Sequence, residues 1–200
     1  MTQTSDQDPP PSTLLLAGPF GQMGHRLAAK LSAEPGLLVL AGGRETEMQV
    51  IADELNGENN ATVQSLPGDL SHSVTRDVLA LELENVDILV LDGSELGPLP
   101  DDDEAAEVWR RHLSSLAGLA RALAEDMEET DGRIVALVDD DAGGRVLNSS
   151  LPLGVHRLSL VISPDVPIAD TVALLMNLLT PASLAIRSGT LIPINPRPAP

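Results

Sequence analysis

Thr13-Leu14-Leu15-Leu16-Ala17-Gly18-Pro19-Phe20-Gly21-Gln22-Met23-Gly24 is the stretch on which the reading of this chain turns. A short, nearly unbroken apolar run that stops at a glycine is the pattern of a strand covered on both faces. Beyond it Met23, Leu27, Ala28 and Leu31 recur at helical spacing, and the pattern ends near Pro35-Gly36. A strand that passes through a glycine turn into a helix presents free backbone N–H groups at the helix start, where a pyrophosphate can be held. Gly18, Gly21 and Gly24 stand three apart in that turn. A tight turn with close helix–strand packing and no ligand explains the same triplet, so both readings stay open here.

Outward from this unit the alternation repeats. Leu37–Ala41 reads as a second buried strand and Thr46–Leu55 as the next helix. Thr62–Leu66, Val86–Leu91, Arg133–Val138, Arg157–Ile162 and Thr190–Ile194 read as further strands. Helices are expected over Val74–Leu83, Glu104–Glu128 and Asp170–Leu179. Strands alternating with helices imply parallel βαβ units, and uniformly apolar strands imply helices on both sides. The expected fold is therefore α/β, a doubly wound, Rossmann-like parallel sheet in a single domain over 13–195. The segments 1–12 and 196–200, rich in Pro, are expected to be flexible tails.

Composition narrows the chemistry. The 200 residues contain no Cys and no Tyr, one Phe, one Trp and a single lysine, Lys30. Thiol nucleophiles, disulfides and zinc–thiolate sites are excluded, as is any mechanism that uses a phenol. A formal charge of −18 argues against partners with phosphate backbones or anionic lipid surfaces. The first residues lack the basic and apolar regions of a secretory signal, so a cytoplasmic location is expected. His25, His72, His112 and His156 show no metal-ligand spacing, and no metal site is expected. The Asp139-Asp140-Asp141 run is expected to be a solvated acidic loop.

Two further residues suit a dinucleotide. Arg44 follows the second strand, where a cation beside the adenosine ribose favours a 2′-phosphate and hence NADP. Asp69 follows the third strand, near the expected adenine edge. Each has a plainer alternative: Arg44 pairing with Glu45 or Glu47, and Asp69 capping the next helix.

From about Thr13 to Asn195 the order of elements resembles the short-chain dehydrogenase/reductase family. Gly18–Gly24 resembles its glycine turn, LAGGR (Leu40–Arg44) the end of its second strand, and GDLS (Gly68–Ser71) its adenine-contact motif. VDILVLDGSELGP (from Val86) is similar to the strand that ordinarily ends in Asn-Asn-Ala-Gly. GRIVALV (Gly132–Val138) is similar to the strand leading to the catalytic serine. The resemblance implies cofactor contacts at Gly18, Phe20, Gly21, Met23, Gly24, Arg44, Asp69, Leu70 and Gly93. The first turn is also similar to that of dihydrodipicolinate reductases, whose histidine-rich catalytic motif has no counterpart here.

The resemblance stops at the chemistry. The family uses a Tyr acid/base, a Lys four residues on, a carbonyl-orienting Ser and a supporting Asn. Here the Ser position holds Asp139, the Asn-bearing helix offers Ser115 or Leu116, and Tyr is absent altogether. The interval DDDAGGRVLNSSLPLG, where the family has its catalytic helix, is rich in Gly and Ser, so a short loop is expected there. The leading expectation is a non-catalytic member, a structural or regulatory subunit of an oligomer with itself or with an active relative, that retains an NADP(H) crevice. The alternatives are an NAD(P)H-dependent oxidoreductase with an unusual donor such as His156, and a dinucleotide-sensing module.

Overall fold

In the computed structural model, residues 12–83, 85–163, 165–179 and 186–194 are described. The expected tails fall outside them except for Ser12. Seven strands, β1 (Thr13–Ala17), β2 (Gly36–Ala41), β3 (Ala61–Leu66), β4 (Ile88–Gly93), β5 (Arg133–Val138), β6 (His156–Ile162) and β7 (Thr190–Ile194), form one sheet. Their spatial order is β3-β2-β1-β4-β5-β6-β7, and every neighbouring pair is parallel. The chain winds outward one way from β1 to β3, then crosses back to β4 and winds the other way. The sheet therefore splits at the C-terminal ends of β1 and β4, which is where a doubly wound sheet opens a crevice.

The helices are α1 (Gln22–Leu31), α2 (Glu45–Glu58), α3 (Ser73–Glu82), α4 (Asp103–Ala122), α5 (Ala124–Glu129), α6 (Asp141–Ser150) and α7 (Ile168–Leu178). Because successive strand residues face opposite ways, the apolar runs feed two cores. Leu15, Leu89, Ile134 and Ala136 pack with side chains of α3, α4 and α6 on one face. Leu16, Leu38, Val90 and Leu137 pack with those of α1, α2 and α7 on the other. A fully buried leucine contributes roughly 1.5–3 kcal/mol, and both cores contain several. Pro193 lies on β7, an edge strand, where a missing N–H is tolerated.

Two expectations about helices need correction. The segment over Glu104–Glu128 is two helices that meet at Leu123, the C-cap of one and the N-cap of the other, whose side chain is buried. More consequentially, the interval after β5 is not a loop: Asp141–Ser150 is a ten-residue helix. Asp140 caps it, its Oδ1 accepting from the Gly143 N–H at 2.6 Å. Gly143 and Gly144 are there for close packing. A Cβ on Gly143 would lie 3.2 Å from Cζ2 of Trp109, and one on Gly144 3.2 Å from a Leu191 methyl and 3.3 Å from one of Val161. Propensity disfavours each glycine by about 1 kcal/mol relative to Ala, and tertiary packing overrides it.

Candidate functional site

A crevice of about 530 Å³ opens outside the C-terminal ends of β1 to β4. Its floor and walls come from the β1–α1 turn (Gly18, Pro19), the β2–α2 turn (Gly42–Arg44), the β3–α3 loop (Gly68–Ser71) and the end of β4 (Asp92). Ser115 and Leu116 of α4 close the far side. Gly42 and Gly43 turn through φ of +98° and +70°, a region that favours glycine, which lets the chain enter α2 without a side chain over the crevice. At Gly18 the approach is backbone to backbone: a Cβ would stand 2.5 Å from the Asp92 carbonyl oxygen.

Of the residues expected to hold a cofactor, Gly18, Arg44, Asp69 and Leu70 come together in this crevice. Arg44 is at its rim, ion-paired with Glu47, so the plainer alternative for it is also realised. Asp69 does not cap α3; the N-cap is His72. Instead the Asp69 carboxylate accepts from the Ser71 N–H at 2.8 Å, and that bond is the main cause holding its pKa below the ordinary carboxylate range. Met23 faces a smaller recess of about 270 Å³ beside Gln22, Ser94, Glu95, Asp139 and Ile168. Phe20, with φ +53°, is buried in the core beneath α1 and α2. Gly24 supports it, since a Cβ there would touch the Phe20 ring and lie 3.3 Å from Asp92 Oδ2. Gly93 is likewise buried, close to the Leu137 carbonyl and to Leu113 and Leu116, and serves packing between β4 and α4.

Three carboxyl groups that the resemblance did not single out as ligand contacts control the middle of the site. Asp92 is 1% exposed; its Oδ1 accepts from the Ser94 N–H (3.1 Å) and Ser94 hydroxyl (2.6 Å), and its Oδ2 has no hydrogen-bond partner among the described residues. Burial raises its pKa, partly opposed by the two bonds from Ser94. Asp139, following β5, accepts from the Gly97 N–H at 2.9 Å. Burial first, and then Asp92, Asp140 and Glu95, push its pKa up to about 6, against the lowering effect of the Gly97 bond. Glu95, in the loop between β4 and α4, lines both the crevice and the recess. Its carboxylate lies over Gly21, at the place a Cβ on that glycine would occupy.

The acidic run is thus engaged rather than simply solvated. Asp140 Oδ2 accepts from the Leu99 N–H (3.0 Å), and Trp109 Nε1 donates to the Gly97 carbonyl (2.9 Å). With the Asp139–Gly97 bond, these contacts fasten the β4–α4 loop to the end of β5. Asp141 pairs with Arg145 at 3.5 Å. Among the described residues no group of three or more His, Cys, Asp or Glu side chains is arranged to hold a metal ion.

His156 is removed from this chemistry. It begins β6 in register with Arg133, the first residue of β5, and its Nε2 hydrogen-bonds the Ile186 carbonyl at 2.9 Å. Asp139 lies beyond the opposite end of β5, about 20 Å away at the usual strand rise. Lys30 is in the last turn of α1, again away from the crevice.

A nicotinamide dinucleotide, the cofactor implied by the resemblance, fits this site in part. The glycine turns and Asp69 would suit its adenosine half, whereas Gly21 at the start of α1, where its pyrophosphate would lie, is covered by the Glu95 carboxylate. Among the described residues no helix is long and apolar enough to cross a membrane.

No family model and no curated protein sequence matches the chain. Solved structures do. A short-chain dehydrogenase from Mycobacterium smegmatis superposes with a TM-score of 0.77 at 16% identity, over 95% of this chain and 94% of that one. A short-chain dehydrogenase from Oenococcus oeni PSU-1 gives 0.72 at 17%, over 93% and 96%. An alcohol dehydrogenase from the archaeon Thermococcus sibiricus, solved with 5-hydroxy-NADP, gives 0.74 at 15%, over 94% and 98%. The fold is that of the short-chain dehydrogenases, a single Rossmann-like α/β domain, and at these identities the likeness is one of fold.

Proposed function

We propose that this chain is a short-chain-dehydrogenase-like protein without the family's standard chemistry. It acts as a structural or regulatory subunit whose crevice senses a nicotinamide dinucleotide. The observation that carries this reading is a nucleotide-sized crevice at the sheet's split whose catalytic side lacks a phenol and an ammonium group. The helix that fills the crossover after β5, Asp141–Ser150, contains neither Tyr nor Lys, and Asp139 stands where the family has its serine. Arg44 at the rim favours NADP(H) over NAD(H). The partner we assign is a second copy of the chain or an active relative, working in the cytoplasm.

Titration of the purified chain with NADPH and NADH, followed by nicotinamide fluorescence, tests the crevice. Incubation with NADPH and a panel of small ketones tests the chemistry. Binding without turnover, together with co-purification of a related reductase or self-association, is the expected result. Steady NADPH consumption by the chain alone would overturn the regulatory reading. It would favour a second one, a reductase with a non-standard acid, for which Asp139 is the observation: a carboxyl group beside the smaller recess, part-protonated near neutral pH. In that case Asp139→Asn abolishes consumption.

A further inference from the structure

The start of α1 is built like an anion seat. Gly21 is its N-cap, no side chain caps it, and its first turn contains no acidic residue. The first N–H groups of such a helix, and its dipole, attract a negative group. In this chain the carboxylate of Glu95, which comes from a different element, lies over Gly21 at the place a Cβ would take.

The position of Glu95 is determined by its loop. Residues 94–102 follow β4 directly, and the bonds from Gly97 and Leu99 to Asp139 and Asp140, with the Trp109–Gly97 bond, hold that loop on both sides. Glu95 is therefore carried to Gly21 by a fastened backbone, although its side chain is exposed. A second observation points the same way. Beneath the seat, Asp92 is buried and its unpartnered Oδ2 faces the first turn of α1 close to Gly24. An unpartnered buried carboxyl oxygen favours a ligand group that can hydrogen-bond with it. The cationic side chains among the crevice's lining residues are Arg44, already paired with Glu47, and His112 when protonated.

We propose that Glu95 is the specificity-determining residue of the crevice. Its carboxylate fills the pyrophosphate seat, so a dinucleotide binds by displacing it, whereas a nucleoside without phosphate binds beside it. This rests on the reading that the crevice holds a nucleotide.

Calorimetric titration of wild type, Glu95→Gln and Glu95→Ala with NADPH, NADH and adenosine tests it. Glu95→Gln removes the charge and keeps the shape; Glu95→Ala removes both. Dinucleotide affinity is expected to rise about tenfold in Glu95→Ala and by a smaller factor in Glu95→Gln, with adenosine affinity unchanged within about twofold. Equal dinucleotide affinity in wild type and Glu95→Ala overturns the role of Glu95 and leaves the nucleotide crevice standing. An equal rise for adenosine also overturns it, because the variant has then only widened the crevice. If none of the three proteins binds any of the three ligands, the nucleotide reading itself fails and the specificity proposal falls with it. Circular dichroism of the variants checks that the fold is kept.

Discussion

Asp139, just past the end of β5, is half-buried, and its pKa is pushed up to about 6 in the folded chain against an ordinary value of 3.8. The sign of the linkage follows from that displacement. Below about pH 4 the group is protonated whether the chain is folded or not, and it contributes nothing to pH dependence. As pH rises from about 4 to about 6 the unfolded chain releases the proton first, so folding stability falls through that window and levels off above it. Asp92, raised by deeper burial, acts in the same direction. Asp139→Asn retains an oxygen to accept from Gly97 and removes the titration. Relative to wild type, this variant is expected to gain roughly 1 kcal/mol between pH 4 and pH 7, after discount for half-exposure, or about 2–4 °C in Tm. Thermal melts of both proteins across that range check it; a constant Tm difference would mean that Asp139 has an ordinary pKa. At this scale the sequence was only partly readable. Gly18, Arg44, Asp69 and Leu70 could be placed because each sits at the end of a recognisable strand. Glu95 could not, since a glutamate in an irregular loop has no periodic signal and its place depends on the bond between Gly97 and Asp139, 42 residues apart.

At the scale of elements, α6 is the instructive case. Its sequence, DAGGRVLNSS, argues against a helix by propensity, yet the helix forms because its glycines let it approach β5, β6, β7 and Trp109 closely. The strands were legible because continuous apolar runs bounded by Gly, Asn and Asp have few other uses in a chain of this composition. The helix was not, because what stabilises it is tertiary: the Asp140 cap, the buried Leu147 and the two glycine contacts. Asp140 has a double task, since one oxygen caps α6 and the other holds Leu99 of the β4–α4 loop. Asp140→Ala should therefore destabilise the chain by about 1–2 kcal/mol, at the upper end for a cap. It should also speed hydrogen exchange at the Gly97 and Leu99 amides, not only at the first turn of α6. Urea unfolding with exchange mass spectrometry separates the two effects; loss confined to α6 would show that the loop is held without Asp140.

For the whole molecule the governing quantity is charge. Thirty acidic side chains against twelve basic ones leave −18, with Lys30 the only lysine. Glu47, Asp69 and Glu95 bring that excess into the crevice itself. Proteins that grip phosphates with free Lys and Arg bind them less tightly as salt is added, because screening weakens an attraction. Here the dominant long-range term between the chain and an anionic dinucleotide is repulsive, so screening should help. The Debye length shrinks from about 10 Å at 0.1 M salt to about 3 Å at 1 M, a span that removes most of the interaction with distant surface carboxylates. NADPH affinity is therefore expected to strengthen several-fold over that range, and Tm to rise with it as the folded chain's self-repulsion is relieved. Adenosine, which is uncharged, serves as the control and should bind with nearly constant affinity. Replacing Glu95 by Gln removes the closest carboxylate from the pyrophosphate seat and should flatten the NADPH slope in part, leaving the contribution of the remaining acids. Weaker NADPH binding at high salt, with adenosine unaffected, would mean that Arg44 leaves Glu47 to hold the ligand's phosphates, and that this local attraction outweighs the charge of the molecule as a whole.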